Sequence, residues 1–316
     1  MSKKLISIVI PFYNEEWNII PLFKEVKESL KQDFKDFDYE IICINDGSDD
    51  KTWEEIKECK KMDKNVKWIN LRRNYGQSIA MDAWFKACNW DYVFTLDGDG
   101  QNNPKDFKKL YNKLKEENLD LVAGWRKKRK DPLWMLVITK SARFLRWLLI
   151  KDGVKDSWCT LRIYKKEVVK NLELWWEMHR FIIAMSKING FKIWETKVDH
   201  RARTIWTSKY NWKKSFKWLI DLIYIWFIRK YQWRPLHLFG FIGLLNLFIW
   251  FWMIADAIYK KLFLNIDISN NGFFIMWIFL FQVWVMLFIF GIVIDLLIRI
   301  NNNTNKKERY LIKEEI

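Results

Sequence analysis

Short apolar runs alternate with amphipathic stretches over residues 1 to about 205, and this alternation restricts the folds open to the chain. The apolar runs are rich in Ile and Val and are bounded by polar turns, which predicts strands at 5–10, 39–45, 66–71 and 91–97. Between them, apolar residues recur every three or four positions, which predicts helices at 17–33, 51–61, 76–89 and 104–116. Strands that alternate with helices predict an α/β fold with a mostly parallel, Rossmann-like sheet covered by helices on both faces.

Two polar clusters, "NDGSDD" and "DGDGQ", follow predicted strands. Ligands of such sheets bind beyond the carboxyl ends of the strands. Asp97 and Asp99 are spaced at i and i+2 on an extended turn, so both carboxylates can hold one hard divalent cation, Mg²⁺ or Mn²⁺, with Gln101 as a neutral oxygen ligand. Paired Asp residues in loops also cap helices, which is the alternative interpretation of this spacing.

The net charge and the cysteine content indicate the class of partner and the cellular compartment. The formal net charge of +16 favours an anionic partner, which is nucleic acid, a phosphorylated substrate or acidic lipid headgroups. The four cysteines are scattered without a C-x-x-C pair, which predicts reduced thiols in a cytosolic domain. The N-terminal apolar run is too short for a signal peptide, and the three histidines lack metal-binding spacing.

Two long apolar stretches, 236–259 and 272–298, are each long enough to cross ~30 Å of hydrocarbon, so we expect two transmembrane helices. Before them, 212–233 mixes aromatic residues with Lys and Arg, which predicts a helix in the membrane interface. A buried amphipathic helix of the first domain is the alternative. Basic flanks predict that both ends of the hairpin are cytoplasmic. With membrane spans in the chain, acidic lipid headgroups are a better partner for the basic residues than nucleic acid. The alternative is that the basic residues form a face that contacts only solvent.

The order of several motifs carries a more specific signal. "IVIPFYNEE", "INDGSDDKT", "RRNYGQSIAMDA", "LDGDGQ", "GWRKKRKDP", "EMHRF" and "TSKYN" together resemble family 2 glycosyltransferases of the GT-A fold. More narrowly they resemble the polyprenyl-phosphate sugar transferases, the group of dolichol-phosphate mannose synthase. The resemblance covers nearly the whole chain. The expected organisation is a GT-A domain at 1–205, an amphipathic interface segment at 206–235, a transmembrane hairpin at 236–298 and a cytoplasmic tail at 299–316.

The resemblance also implies roles for matching residues. Contacts to the nucleotide-sugar are expected from Pro11, Tyr13, Glu15, Asp46 and Asp97. The metal and diphosphate site is expected at Asp97, Asp99 and Gln101. The acceptor phosphate is expected to meet Arg126, Arg201, Arg203, Ser208 and Lys209. Asp156 joins the catalytic set as a residue that orients the acceptor or a basic side chain, with a turn-capping Asp as the alternative, and His179 is expected to pack and hydrogen-bond.

The expected activity is therefore that of a membrane-bound, inverting glycosyltransferase of the inner membrane with its catalytic domain in the cytoplasm. It would move one sugar from a UDP-glucose or GDP-mannose type donor to polyprenyl phosphate. A divalent cation and basic residues would stabilise the departing diphosphate, and the acceptor phosphate is already ionised, so no strong general base is needed. A processive polysaccharide synthase and a catalytically silent membrane-anchored binding protein are the alternatives. Whether the protein forms a homo-oligomer stays open.

Tryptophan and glycine usage is unusual, with 21 Trp and only 11 Gly. Tryptophan stands where the family pattern has glycine at Trp84, Trp90, Trp158, Trp176 and Trp206, and more weakly at Trp17, Trp194, Trp212 and Trp218. Tryptophan is a poor substitute where the backbone needs positive φ or close approach. We hypothesise that the gene belongs to a lineage that reads UGA as glycine. The tryptophans at these positions would then result from translating UGA codons as tryptophan, and the natural protein would carry glycine there. The alternative is a Trp-rich membrane protein with interfacial aromatic belts.

Overall fold

A computed structural model describes the chain at residues 3–87, 90–126, 144–172, 174, 178–201, 212–231 and 312–315, and at isolated positions between 248 and 300. The chain forms two compact units. The first contains residues 1–229 together with 310–316, and the second contains residues 230–309.

The described strands of the first unit form a single sheet. They are β1 (Lys4–Phe12), β2 (Phe37–Asn45), β3 (Val66–Leu71), β4 (Tyr92–Thr95), β5 (Leu121–Arg126), β6 (Arg162–Lys165), β7 (Ile193–Val198) and β8 (Ile312–Glu315). Their order is β7-β5-β6-β4-β1-β2-β3-β8. Neighbours among β1 to β4 are parallel, as are β5 and β7, whereas β6 runs antiparallel between β4 and β5, and β8 runs antiparallel beside β3. The predicted mostly parallel sheet is confirmed.

Helices connect and cover these strands. They are α1 (Ile19–Asp33), α2 (Thr52–Met62), α3 (Gln77–Ala87), α4 (Phe107–Glu116), α5 (Lys166–Lys170), α6 (Ile182–Ile188) and α7 (Trp212–Tyr231). Residues 144–149 are also helical, and 3₁₀ turns lie at Pro104–Asp106 and Met178–Phe181. The first four strands and the first four helices follow the predicted order.

Both faces of the sheet are buried, as the continuous apolar strands require. In β1, Ile8 and Ile10 pack into one core with Leu22 of α1. Val9, on the opposite face, packs into a second core with Phe85 of α3. Burial of each such side chain contributes roughly 1.5–3 kcal/mol. The β1, β2 and β4 carboxyl ends are thereby fixed side by side.

Helix α7 lies almost entirely within the first unit, and side chains on it pack into the core of that unit. Leu222 and Ile225 lie in a third core with Ile150 and Phe181. The Arg229 guanidinium donates to the Leu149 carbonyl oxygen at 2.8 Å. The buried face agrees with the amphipathic-helix alternative, and contact of the remaining surface with a membrane stays a prediction.

The second unit is described only at isolated helical positions. Several of these expose large apolar side chains: Phe248, Trp252, Leu262, Phe263, Phe279 and Met286. Within the described residues, no helix has both the length and the apolar character needed for a bilayer crossing. The two stretches predicted as transmembrane helices lie largely outside the described residues.

The tryptophans at expected glycine positions have varied surroundings. Trp17 has φ +77° and is 65% exposed. Trp84 is buried, and its indole N–H has no acceptor among the described residues. Trp158 is half-buried beside the core that contains α7. Trp176 and Trp206 lie outside the described residues. A positive φ is rare for a bulky residue, so Trp17 has the backbone of a glycine position.

Candidate functional site

A cavity of about 280 Å³ opens at the carboxyl ends of β1, β2 and β4. Its lining combines predicted and unpredicted residues: Pro11, Phe12, Tyr13, Glu15, Asp46, Asn74, Gly76, Gln77, Asp97, Gly98 and Asp99. The structure thus brings together all five residues predicted to contact a nucleotide-sugar, and both predicted metal-binding carboxylates. Parallel strands make this possible because their carboxyl ends share one edge of the sheet.

Glycine between the two carboxylates lets their turn lie against β1. A Cβ atom at Gly98 would come within 2.3 Å of the Phe12 ring. The turn is closed further on, where Asp99 Oδ1 accepts the Gln101 backbone N–H at 3.1 Å. A side chain at position 98 would therefore push both Asp97 and Asp99 away from the cavity floor.

The two carboxylates suit a divalent cation. Burial and the negative charge of Asp99 raise the pKa of Asp97, against the opposing effects of Thr160, Gln77 and Arg126. A cation between the carboxylates would relieve this repulsion. No group of three His, Cys, Asp or Glu side chains with metal-binding geometry occurs among the described residues. The two carboxylates of Asp97 and Asp99 are ligands of the kind that Mg²⁺ and Mn²⁺ prefer, and further oxygen atoms would be needed to complete the coordination shell.

Asp46 holds the segment that leads into α3. It is 3% exposed, and its two carboxylate oxygens accept the backbone N–H groups of Tyr75 at 2.8 Å and Gly76 at 2.9 Å. Burial raises its pKa to about 6, against the two amide hydrogen bonds. Asp46 therefore lines the cavity and at the same time organises its wall.

Asp156 orients a basic side chain. Its carboxylate accepts from Arg126 Nε at 2.7 Å and from a terminal guanidinium nitrogen at 3.0 Å, and it also accepts the Arg126 backbone N–H at 3.2 Å. Both side chains are largely buried. The charge of Arg126 also acts on Asp97, so this pair flanks the carboxylate site although it does not line the cavity.

Gln101 and Arg201, two other predicted residues, are not among the residues that line the cavity. Arg201 donates its backbone N–H to the Gln101 carbonyl oxygen at 2.9 Å, and Gln101 Nε2 donates to the Arg201 carbonyl oxygen at 3.3 Å. The Arg201 guanidinium pairs with both carboxylate oxygens of Glu25 on α1, each at 2.8 Å. Arg201 is thus engaged by α1, and Arg203, Ser208 and Lys209 lie outside the described residues.

Besides Phe12 and Gly98, which are adjacent in the chain to predicted residues, three cavity residues were missed from the sequence: Asn74, Gly76 and Gln77. They lie in the loop and first turn that begin α3, and Gln77 Nε2 donates to Asp97 Oδ1 at 2.6 Å. The "RNYGQ" stretch was a signal, because it belonged to the motif series that carried the family resemblance. A second cavity of about 400 Å³ shares Tyr13 and Asn74 with the first.

Solved structures share the fold. Glucosyl-3-phosphoglycerate synthase from Mycobacterium tuberculosis superposes with a TM-score of 0.52 and 18% identity, over 72% of this chain and 80% of that one. A mannosyltransferase from Pyrobaculum calidifontis, solved with GDP-mannose and Mn²⁺, superposes with a TM-score of 0.50 and 12% identity, over 71% and 63% of the two chains. These likenesses support the predicted GT-A fold.

Sequence relatives extend over nearly the whole chain. Dodecaprenyl-phosphate galacturonate synthase from Rhizobium johnstonii is 30% identical over 98% of this chain and 92% of its own length. An undecaprenyl-phosphate 4-deoxy-4-formamido-L-arabinose transferase from Salmonella choleraesuis is 29% identical over 99% and 94%. The family described as "Glycosyl transferase family 2" matches residues 7–173, which is more than half of the chain. The chain therefore belongs to glycosyl transferase family 2.

Proposed function

We propose that the protein transfers one sugar from a nucleotide-sugar to polyprenyl phosphate, with inversion at the anomeric carbon. The observation that carries the proposal is the cavity in which Asp97 and Asp99 face the β1 and β2 loop residues. Relatives that match nearly the full length bear names with a polyprenyl phosphate and a sugar. A UDP- or GDP-sugar is the donor class that this cavity suits.

The chemistry requires positioning more than acid–base catalysis. An acceptor phosphate oxygen forms a bond to the anomeric carbon while the bond from that carbon to the donor diphosphate breaks, and the diphosphate leaves with the electron pair. Bound at Asp97 and Asp99, Mg²⁺ or Mn²⁺ would supply positive charge for the leaving diphosphate. Pro11, Tyr13, Glu15 and Asp46 would hold the nucleoside.

The basic residues would act on the acceptor side. Arg126, which is hydrogen-bonded to Asp156 and whose charge acts on Asp97, would contact the acceptor phosphate. Because two hydrogen bonds hold the guanidinium plane, Asp156 acts as a positioning residue here. Arg201, Arg203, Ser208 and Lys209 belong to the segment that we place beside the acceptor, whereas we keep Gln101 in the proposed metal and diphosphate site.

The acceptor is a membrane lipid, and several surfaces suit lipid contact. Helix 144–149 exposes Phe144, Trp147 and Leu148 at 60%, 60% and 51%. The described positions of the second unit also expose Phe, Trp, Leu and Met side chains. We therefore propose an inner-membrane protein with its catalytic domain at 1–205 in the cytoplasm, an interface segment at 206–235, a membrane hairpin at 236–298 and a cytoplasmic segment at 299–316 whose strand β8 joins the catalytic sheet.

A donor panel tests the function. Membranes that contain the protein would be incubated with UDP- and GDP-sugars, polyprenyl phosphate and Mn²⁺, and the lipid product analysed by mass spectrometry. We expect one sugar per lipid, and we expect Asp99→Ala to lower the rate at least about 100-fold because the diphosphate charge loses its counter-ion. Asp36→Ala, at an exposed carboxylate between α1 and β2, is the matched control.

The outcome also separates the alternatives. A product that carries several sugars would favour a processive synthase. Donor binding without turnover by the unmodified protein would favour a binding protein and contradict the proposal. A transfer rate that Asp99→Ala leaves unchanged would contradict the assignment of the metal site.

A further inference from the structure

The first turn of α3 connects several parts of the candidate site. Gln77 begins this helix, and its Nε2 donates to Asp97 Oδ1 at 2.6 Å. The hydrogen bond spans 20 residues of sequence and joins the helix to the turn after β4. Its short length and its anionic acceptor place it among the stronger hydrogen bonds.

The backbone before Gln77 is held from β2. Asp46 accepts the N–H groups of Tyr75 and Gly76, the two residues that precede Gln77. Gly76 has φ +91°, a conformation that glycine adopts at little cost. The direction in which α3 starts is therefore set by the buried carboxylate that follows β2.

Ser78, the residue after Gln77, is hydrogen-bonded to His179 in the turn at Met178–Phe181. Ser78 is fully buried, its Oγ accepts the His179 backbone N–H at 2.9 Å, and it lies 2.8 Å from His179 Nδ1. Since the hydroxyl oxygen already accepts the backbone N–H, its own proton can be donated to Nδ1. Burial and the charges of Arg180 and Arg162 lower the pKa of His179 to about 3, so the ring is neutral and Nδ1 can accept.

The buried Arg162 connects the turn that contains His179 to the loop before β6. Arg162 is 2% exposed, and it donates to the carbonyl oxygens of His179 at 3.3 Å, Cys159 at 2.8 Å and Ser157 at 2.8 Å. The loop that carries Asp156 is thereby tied to the turn that holds Ser78. Gln77 thus extends toward Asp97 from a backbone that is fixed on both sides.

We propose that Gln77 is a positioning residue that engages one oxygen of Asp97 so that the other is presented to a divalent cation in the cavity. The inference rests on the proposed function, because the cation matters there as the counter-charge of a nucleoside diphosphate. Two carboxylates two residues apart repel each other and can rotate, and an amide donor on one oxygen selects a single orientation.

The chain allows a clean test, because two substitutions at Gln77 preserve the helix. Alanine favours helix, and glutamate is favourable in the first turn of a helix. Gln77→Ala removes the donor, whereas Gln77→Glu keeps the shape and places a carboxylate against Asp97. Gln32→Glu, at an exposed glutamine on α1, is the matched control.

The measurement is binding of Mn²⁺ by the full chain in detergent, with UDP or GDP present, followed by electron paramagnetic resonance of free Mn²⁺. We expect Mn²⁺ to bind at least about tenfold more weakly in both variants. We expect the thermal unfolding temperatures of both variants in the absence of metal to equal that of the unmodified protein. Gln32→Glu should bind Mn²⁺ like the unmodified protein.

Two results would overturn the inference. One is Mn²⁺ affinity that is unchanged in Gln77→Ala and Gln77→Glu, or absent in the unmodified protein. The other is metal-free binding of UDP or GDP that weakens as much as Mn²⁺ binding does, which would make Gln77 a direct nucleotide contact. Neither measurement uses an acceptor or turnover, so a protein that binds Mn²⁺ through Gln77 but transfers no sugar would refute the proposed function alone.

Discussion

At the residue scale, the candidate site depends on a few buried polar groups whose hydrogen bonds are internal to the fold. Asp97 and Asp99 could be placed from the sequence, because a D-x-D after an apolar strand ends up at the carboxyl edge of the sheet. Gln77 could not, because its contact depends on how α3 is directed by Asp46 and His179, which lie far away in sequence. The local sequence pattern around Gln77 does not indicate its contact with Asp97.

Asp46 provides a prediction about pH. Burial raises its pKa to about 6, so the carboxylate that accepts the Tyr75 and Gly76 amides becomes protonated as the pH falls through that value. A protonated carboxyl loses acceptor capacity, so kcat/KM for the donor should decline below about pH 6. Steady-state rates from pH 5 to 8 would measure this decline.

The effect of Asp46 on the stability of the fold has the opposite pH dependence to its effect on activity. Because the folded-state pKa lies above the ordinary value of 3.8, the contribution of Asp46 to stability falls as the pH rises from about 4 to 6. Asp46→Asn should therefore become more stable relative to the unmodified protein over that range, and its activity should lose the inflection near pH 6. A stability difference that does not vary with pH would contradict this account.

Trp17 provides a prediction about strain. A bulky residue at positive φ costs on the order of 1–3 kcal/mol, and a side chain that is 65% exposed recovers little by burial. Trp17→Gly should therefore raise the free energy of unfolding by roughly 1 kcal/mol, measured by urea denaturation. Trp17→Ala, which removes the ring but keeps a Cβ atom, should not give the same gain.

The glycine hypothesis is tested on the natural protein. Peptides purified from the source cells would be sequenced by mass spectrometry across residues 84, 90 and 158. Glycine at these positions, with UGA codons in the gene, is the expected result. Tryptophan there, or UGG codons, would end the hypothesis. The Trp84 indole N–H, which has no acceptor among the described residues, would then be a feature of the native core.

At the scale of elements, the first half of the sheet was predictable and the second half was not. Strands β1 to β3 are buried apolar runs whose composition identifies them. Strand β6 has four residues and starts with a buried Arg162, and β7 is mostly half-exposed with Trp194 and Lys197 outward. Their formation is decided by pairing with β4 and β5 rather than by local composition.

Helix 144–149 provides a prediction about lipid access. Trp147 and Phe144 are both 60% exposed, and their rings lie 6.0 Å apart. Trp147→Asp should lower transfer to polyprenyl phosphate in liposomes roughly tenfold, because an apolar contact with the bilayer is replaced by a charge. Transfer to a short-chain prenyl phosphate in detergent should be unchanged.

Met62→Asp is the control for this experiment, since Met62 is 48% exposed at the end of α2. Equal losses with both acceptors in Trp147→Asp would indicate damage to the catalytic unit. An equal loss in Met62→Asp would indicate a general effect of added negative charge. Either result would contradict the assignment of this helix to the lipid surface.

At the scale of the whole molecule, the first unit is completed by the end of the chain. Strand β8 pairs with the edge strand β3 through Ile312, Glu314 and Glu315. Removal of residues 310–316 would leave the β3 edge unpaired, and unpaired edges promote association. We expect a lower thermal unfolding temperature and increased light scattering, and removal of Ile316 alone should change neither.

The position of β8 also limits the path of the chain through residues 230–309, which form the second unit. Strands β1 to β7 precede residues 230–309 and β8 follows them, yet all belong to one sheet. The intervening segment is therefore an excursion that must return to the compartment from which it left. Any bilayer crossings within it must be even in number, so a single crossing is incompatible with the pairing of β8 and β3.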